Sequence, residues 1–409
     1  MRRPVILLTL LAICCLTAAA AAEDKAPAYS FKFSGYFKAD MAYDRDRVNS
    51  GNYVVYVLDK AENDMLSTTA RESRFGLDFT WKENEIQTDA RFEFDFYGLG
   101  AASASLNSQE NKAAPMLRHA YLQVTKGHWS VLAGQTSDIM SPLVPKTANY
   151  TVLWDQGNIG YRRPQFRIST WAATPNQKVK VTATAGAVRT LGGDLDGDGV
   201  DDGADAAVPT VEGRVGLAAK INAKRSYELG VSGHYGTEEY QAKDANGRLR
   251  TKDVSSWSGN VDLKITLCER VEFAGELFTG QDLGAYYGGV GQTVNLMKDE
   301  IAARGGWGEL TVKPLAHLSL NAGYGLDDPD DADFVLPSST AGTKSYIGKN
   351  TDLFGSVMYD LTSNVTAMIE VSQLTTTYLY KAYAGTELMS DSKDFDDTRV
   401  QFSLKAAIK

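Results

Sequence analysis

Residues 31–43, FKFSGYFKADMAY, alternate strictly between two kinds of side chain. The odd positions are Phe31, Phe33, Gly35, Phe37, Ala39, Met41 and Tyr43. The even positions are Lys32, Ser34, Tyr36, Lys38 and Asp40. A period of two describes a β-strand with one apolar and one wet face. The stretch is also long enough to cross a bilayer on a tilt.

The pattern recurs. Arg74 to Trp81 sets Phe75, Leu77, Phe79 and Trp81 against Arg74, Gly76, Asp78 and Thr80. After a short turn at Glu83-Asn84, Arg91 to Phe96 sets Phe92, Phe94 and Phe96 against Arg91, Glu93 and Asp95. Strand candidates continue from 117–125, 129–138 and 159–172 through to 352–362, 365–380 and 398–408, about 16 in all. The connectors alternate in length. Short ones sit at Lys126-Gly127-His128, Ala223-Lys224-Arg225 and Thr362 to Asn364. Long ones, most of them polar, sit at 44–70, 97–116, 140–158, 191–209, 239–255, 282–300, 327–351 and 381–397.

Short turns on one side and long loops on the other imply an all-β, up-and-down antiparallel transmembrane β-barrel in an outer membrane. Closure removes the unpaired edges of an open sheet, and an even strand count puts both termini on the periplasmic side. A soluble sandwich shows the same alternation, but with its charged face toward solvent. Trp81, Trp129, Tyr227, Tyr235 and Trp257 near strand ends fit interfacial aromatic girdles.

The start of the chain reads as a secretory leader over residues 1–22. Arg2 and Arg3 are followed by an apolar run from Val5 to Leu16 and the small residues Ala20-Ala21-Ala22. Residues 23–409 then form a single barrel domain without a linker. Cys14 and Cys15 leave with the leader, so Cys268 has no partner for an internal disulfide. The mean hydropathy of −0.27 with 43% hydrophobic residues fits a barrel, where alternation dilutes apolar side chains. The formal charge of −9 argues against nucleic acid as a partner.

One stretch breaks the pattern of polar loops. Gly134 to Thr170 reads as a strand, a long loop and a second strand. The loop, 140–158, carries Pro142, Pro145, Leu143, Val144, Val152, Leu153 and Trp154, and Asp155 as its one acid. The strand after it, beginning near Ile159, carries Arg162, Arg163 and Arg167. Solvent loops are usually more polar, so this one is expected to fold back into the barrel mouth against an arginine-rich wall.

Five segments carry a family resemblance: SGYFKADMAYD at 34–44, RESRFGLDF at 71–79, RHAYLQV at 118–124, LAGQTSDIMSPLVP at 132–145 and NIGYRRPQFRIS at 158–169. On these the chain resembles the DcaP-like trimeric outer-membrane porins over roughly its first 40%. The resemblance implies a 16-stranded homotrimer passing small anionic solutes, with dicarboxylates as the class. Two features depart from it. A helical N-terminal extension does not fit here, and the last strand, RVQFSLKAAIK, ends in Lys409 where barrels usually end in an aromatic residue.

The alternation assigns Lys38, Arg74, Arg91, Arg163, Arg167 and Arg214 to the lumen, with Asp40, Asp78, Glu93 and Asp95. Guanidinium groups match carboxylates with paired donors, and rings of charge set pore selectivity. Arg163 and Arg167, facing loop 140–158, are the expected constriction. Alternation turns Arg162 the other way, subject to disturbance by Pro164. The same charges have a second use, which is to neutralise one another and hold the loop. Near parity of bases and acids leaves a non-selective or cation-preferring porin as the competitor. A lumen closed by side chains would instead make a non-conducting surface scaffold or adhesin.

Asp194, Asp196, Asp198 and Asp202, with Gly199, fit D-x-D-x-D-G-x-x-D, the first part of an EF-hand-type calcium loop. Asp205 falls at position 12, where glutamate is usual. No flanking helices are expected, so Ca2+ there would staple loop 194–205, and an unliganded acidic loop tip is the alternative. No cofactor is required for passive diffusion. His119, His128, His234 and His317 are scattered. A hydrolase would need a serine beside one of them on the barrel exterior, so no enzyme is expected.

Overall fold

Hydrogen bonding closes the chain into a ring of antiparallel strands in the computed structural model, which describes residues 28–60, 63–98, 113–243, 249–384 and 387–408. The strands are β1 (Ala28–Asp44), β2 (Met65–Thr69), β3 (Arg74–Glu83), β4 (Ile86–Gly98), β5 (Ala114–Lys126), β6 (Trp129–Ser137), β7 (Arg162–Ala173), β8 (Val179–Val188) and β9 (Thr210–Asn222). They continue as β10 (Arg225–Lys243), β11 (Leu249–Cys268), β12 (Val271–Gln281), β13 (Ala302–Leu315), β14 (Leu318–Pro329), β15 (Lys344–Asp360), β16 (Val365–Ala384) and β17 (Glu387–Ile408).

β2 and β3 both pair with β1, on its upper and lower halves, and form one interrupted stave. The barrel therefore has 16 staves, as the alternation predicts. β17 closes it against β1, from Gly35 opposite Ile408 to Asp44 opposite Arg399.

The outward face is the apolar one. Phe31, Phe37, Phe92, Phe166, Val231, Leu277, Leu353 and Phe402 are all exposed. Facing inward are charged and polar residues such as Lys38, Glu93, Glu276, Asn321 and Gln401, all nearly buried. This inverts a soluble protein and is the arrangement of a membrane-spanning barrel. Among the described residues no helix is long and apolar enough to cross a membrane.

The aromatic girdle forms at two levels. Trp81, Trp129 and Tyr227 lie outward beside the short turns, and Tyr235 opposite Trp257 lies outward near the other end. Tyr227 and Tyr235 are separated along one strand by roughly 20 Å of membrane height, close to the usual apolar band.

The turns explain themselves locally. The β5–β6 turn runs through Gly127 at φ +58, a left-handed conformation that glycine adopts without a Cβ penalty.

Two expectations are corrected. The connectors expected at 239–255 and 381–397 are largely strand, since β10, β11, β16 and β17 run on as polar hairpins above the apolar band. Beyond the lipid, alternation is not required, and Thr375 and Thr377 hydrogen-bond Asp396 and Asp394 across the pair at 2.5 and 2.6 Å. The strand expected from Ile159 starts at Arg162. The leader expected over 1–22 lies outside the described residues.

Candidate functional site

Residues 138–161 connect β6 to β7 and run around the inside of the barrel wall. Four wall glutamates accept their backbone N–H groups. Ile139 donates to Glu212 Oε2 at 2.6 Å, Leu143 to Glu276 Oε1 at 2.8 Å and Lys146 to Glu309 Oε2 at 2.5 Å. Ala148 and Asn149 donate to the two oxygens of Glu370, at 2.7 and 3.2 Å. From the neighbouring strands β1 and β17, Lys38 Nζ and Gln401 Nε2 donate to the Ala148 carbonyl at 2.7 and 2.9 Å.

These carboxylates thus hold loop backbone, a use expected of luminal charges, although Glu212, Glu276, Glu309 and Glu370 are not among the residues that the alternation was expected to place there. Charge-assisted bonds of this kind are about twice as strong as neutral ones.

The loop pays for its path in backbone strain. Val152 (φ 46), Leu153 (φ 64) and Asp155 (φ 58) are left-handed without being glycine, and Val152 is β-branched. Gly157, at φ +114, lies where a Cβ would sit 2.2 Å from the Gly306 carbonyl oxygen. The loop's apolar residues have partners: Leu153 packs with Trp307 and Phe354 of the wall. Met140 is buried with Ile159, Phe278 and Tyr286.

Between this loop and strands β1, β3, β5 and β7 lies a cavity of about 280 Å³. Arg74, Arg118 and Arg162 line it, with Glu72, Asp138 and Trp154. Arg118 is satisfied, donating to Glu93 at 2.9 Å and to Asp95 and the Tyr150 hydroxyl at 2.8 and 2.9 Å. Arg74 is held loosely, 3.7 Å from Glu93 and 3.8 Å from Asp95, and lies over the Tyr36 ring.

Arg162 is different. Its guanidinium sits 4.5 Å from the Tyr161 ring centroid and 5.6 Å from that of Trp154. Its Nε and Nη2 are buried without a hydrogen-bond acceptor among the described residues.

Arg163 goes elsewhere. It is fully buried, 2.9 Å from Asp138, and lies 3.9 Å over the Tyr286 ring. Strict alternation put Arg163 in the open lumen and Arg162 outside. Arg163 does face inward but is covered by the loop, whereas Arg162, the first residue of β7 where the chain enters from an inward loop, lies buried beside the cavity instead of turning outward.

The remaining expected lumen residues do face inward, but most are neutralised. Lys38 pairs with Glu72 and with Asp40 at 3.3 Å. Arg91 lies 3.1 Å from Asp78, and Arg214 grips Asp262 with two bonds of 2.8 and 2.6 Å. Asp95 accepts from Arg118 and Tyr150, and Glu93 serves both Arg118 and Arg91. Arg167 is half-buried, with no carboxylate at ion-pair distance among the described residues.

Arg118 was legible only as part of RHAYLQV, and its role depends on Tyr150, a loop residue distant in sequence. Burial lifts the Asp155 carboxyl well above the usual carboxylate range, and the Asp327 charge pushes the same way. Burial, with the charge of Glu300, pushes Asp282 up to about 7.

Of the four histidines, His234 is enclosed. His234 bonds Ser258 at 2.8 Å and Ser256 at 3.0 Å, but it is buried inside the barrel under Met140 and stacked on Tyr286.

Comparison with known sequence families and with curated proteins returns no match. Solved structures do match. The outer-membrane channel DcaP of Acinetobacter baumannii superposes with a TM-score of 0.68 at 17% identity, covering 93% of this chain and 97% of that one. The fold is that of the outer-membrane porins. OmpT of Vibrio cholerae in a trimer form (TM-score 0.52, 11% identity, 93% and 100% covered) shares the barrel. So does OmpF of Salmonella typhi (TM-score 0.53, 10% identity, 92% and 97% covered). With its apolar exterior, this shared fold is that of a barrel that spans a membrane.

Proposed function

We propose that this barrel is a passive diffusion channel for small polar solutes, anionic in preference and dicarboxylate-like in class, with residues 138–161 as its constriction. The observation that carries this is Arg162. It is a permanent cation beside the cavity, flanked by Arg74 and Arg118, with two donors unclaimed by protein. A buried guanidinium without an acceptor is costly unless something else supplies one, and a carboxylate fits its fork. The wall acids do not cancel it, because loop backbone and neighbouring arginines engage them.

The test is the reversal potential of the refolded protein in a planar bilayer, compared with Arg162→Gln. A lower anion preference in the variant supports the reading, and unchanged selectivity refutes it.

The second reading is a non-conducting surface scaffold. It is favoured by wall side chains wholly covered inside the barrel, including Glu212, Asp327 and Asn350. An absence of conductance from folded, inserted protein would decide for it. An enzyme is not part of either reading.

The barrel is further proposed to be a homotrimer, joined through the outward phenylalanines of β1, β3 and β4. Phe37 meets Phe75 at 5.3 Å between centroids, and Phe75 meets Phe94 at 5.8 Å. Mass measurement of the detergent-solubilised protein tests this. A monomer mass refutes it.

A further inference from the structure

The loop between β8 and β9 holds a cluster that the diffusion channel does not use. One ligand-competent oxygen from each of Asp194, Asp196 and Asp198 lies within 4.8 Å of the others. None of the three has an ion pair among the described residues. Like charges this close repel unless a cation lies between them.

A second observation points into the same place. Asp202 is fully buried, and its Oδ2 accepts the N–H of Leu195, the residue between the first two aspartates, at 2.8 Å. Its Oδ1 is buried and accepts no bond among the described residues.

The order of positions matches this chemistry. Asp194, Asp196 and Asp198 stand at 1, 3 and 5, Gly199 at 6 with φ +87, Asp202 at 9 and Asp205 at 12. The Gly199 N–H donates to Asp194 Oδ2 at 3.2 Å, closing the tight turn. The sequence suggests no flanking helix, yet Asp202–Asp205 forms one helical turn capped by Asp201. The cap explains the miss: Asp201 Oδ1 accepts from Gly203 at 2.9 Å.

We propose that residues 194–205 form a calcium-binding loop. Asp194, Asp196 and Asp198 are its carboxylate ligands, the Val200 carbonyl occupies position 7, and Asp202 completes the shell. All-oxygen donors of this number and charge suit calcium, which accepts irregular shells that magnesium does not. The bound ion ties the loop to the long-loop end of the barrel. Asp196 Oδ2 already accepts the Gln241 N–H at 2.8 Å, and Lys298 Nζ donates to the Leu195 carbonyl at 3.2 Å.

The experiment is calorimetric titration of calcium chloride into the refolded full chain. The protein is first stripped with chelator, free of lipopolysaccharide and held in a non-ionic detergent. One saturable site is expected, in the range of about 10⁻⁴ to 10⁻³ M or tighter, as for extracellular calcium modules. Magnesium should bind at least tenfold more weakly. The double variant Asp194→Asn/Asp198→Asn should lose the site, with folding verified by heat-modifiable gel mobility. Asp253→Asn/Asp391→Asn, which removes the same charge elsewhere on the long-loop end, should keep it. Absence of saturable heat in the wild type, equal affinity for magnesium, or equal loss in the control variant would each overturn the proposal. The wild-type comparison of the two metals stands even if a variant fails to fold.

Discussion

Glu370 Oε2, on the wall strand β16, accepts the backbone N–H of Ala148 at 2.7 Å, deep inside the barrel. The same carboxylate takes the next N–H, from Asn149. Glu370→Ala removes both bonds, costing roughly 2–4 kcal/mol of loop docking. Single-channel recordings should show larger and noisier conductance than wild type. Unchanged conductance would mean that this part of the loop does not narrow the path.

The two neighbouring arginines are expected to behave oppositely. Arg162→Gln should lower anion preference with little change in thermal stability, because the wild-type guanidinium has no carboxylate partner among the described residues. Arg163→Gln should leave Asp138 buried without its cation and lower the melting temperature, with a smaller effect on selectivity. Thermal melts and reversal potentials on both variants separate the roles. The reverse pattern would return the constriction to Arg163.

Barrel closure, strand number, the lipid-facing side and the inward loop were legible because alternation and loop polarity are direct consequences of which solvent each side chain meets. The charge pairings were not. Arg118 finds Tyr150, Lys38 finds Ala148, and Glu276 finds Leu143 only once the loop has crossed the lumen, and no local pattern encodes that crossing. Arg162 was misplaced for a related reason: alternation holds inside a strand and lapses at its first residue. The hairpins at 239–255 and 381–397 were read as loops because, above the lipid, both faces of a strand are wet.

Gly157 is predicted to be irreplaceable on steric grounds. Gly157→Ala must displace the Gly306 carbonyl and adopt a disfavoured φ of +114, at a cost of about 1–3 kcal/mol. Refolding yield and melting temperature should both fall. A variant as stable as wild type would show that the loop does not lie against β13 as described.

Asp282 gives a pH signature. Its folded-state value, raised by burial to about 7 from the ordinary 3.8, means that the folded barrel holds the proton more tightly than the unfolded chain does. Its contribution to stability is therefore greatest at low pH and is lost as pH rises from about 4 to 7. Asp282→Asn should raise the melting temperature at pH 8 and leave it nearly unchanged at pH 4. A stabilisation equal at both pH values would contradict this.

The most direct test of the channel itself is the zero-current potential of the wild-type protein in a planar bilayer under a potassium chloride gradient. The arginine-lined site predicts a potential of the sign set by chloride, reduced by added small dicarboxylates that occupy the Arg162 site. A potential of the sign set by potassium would keep the porin and remove its anion path.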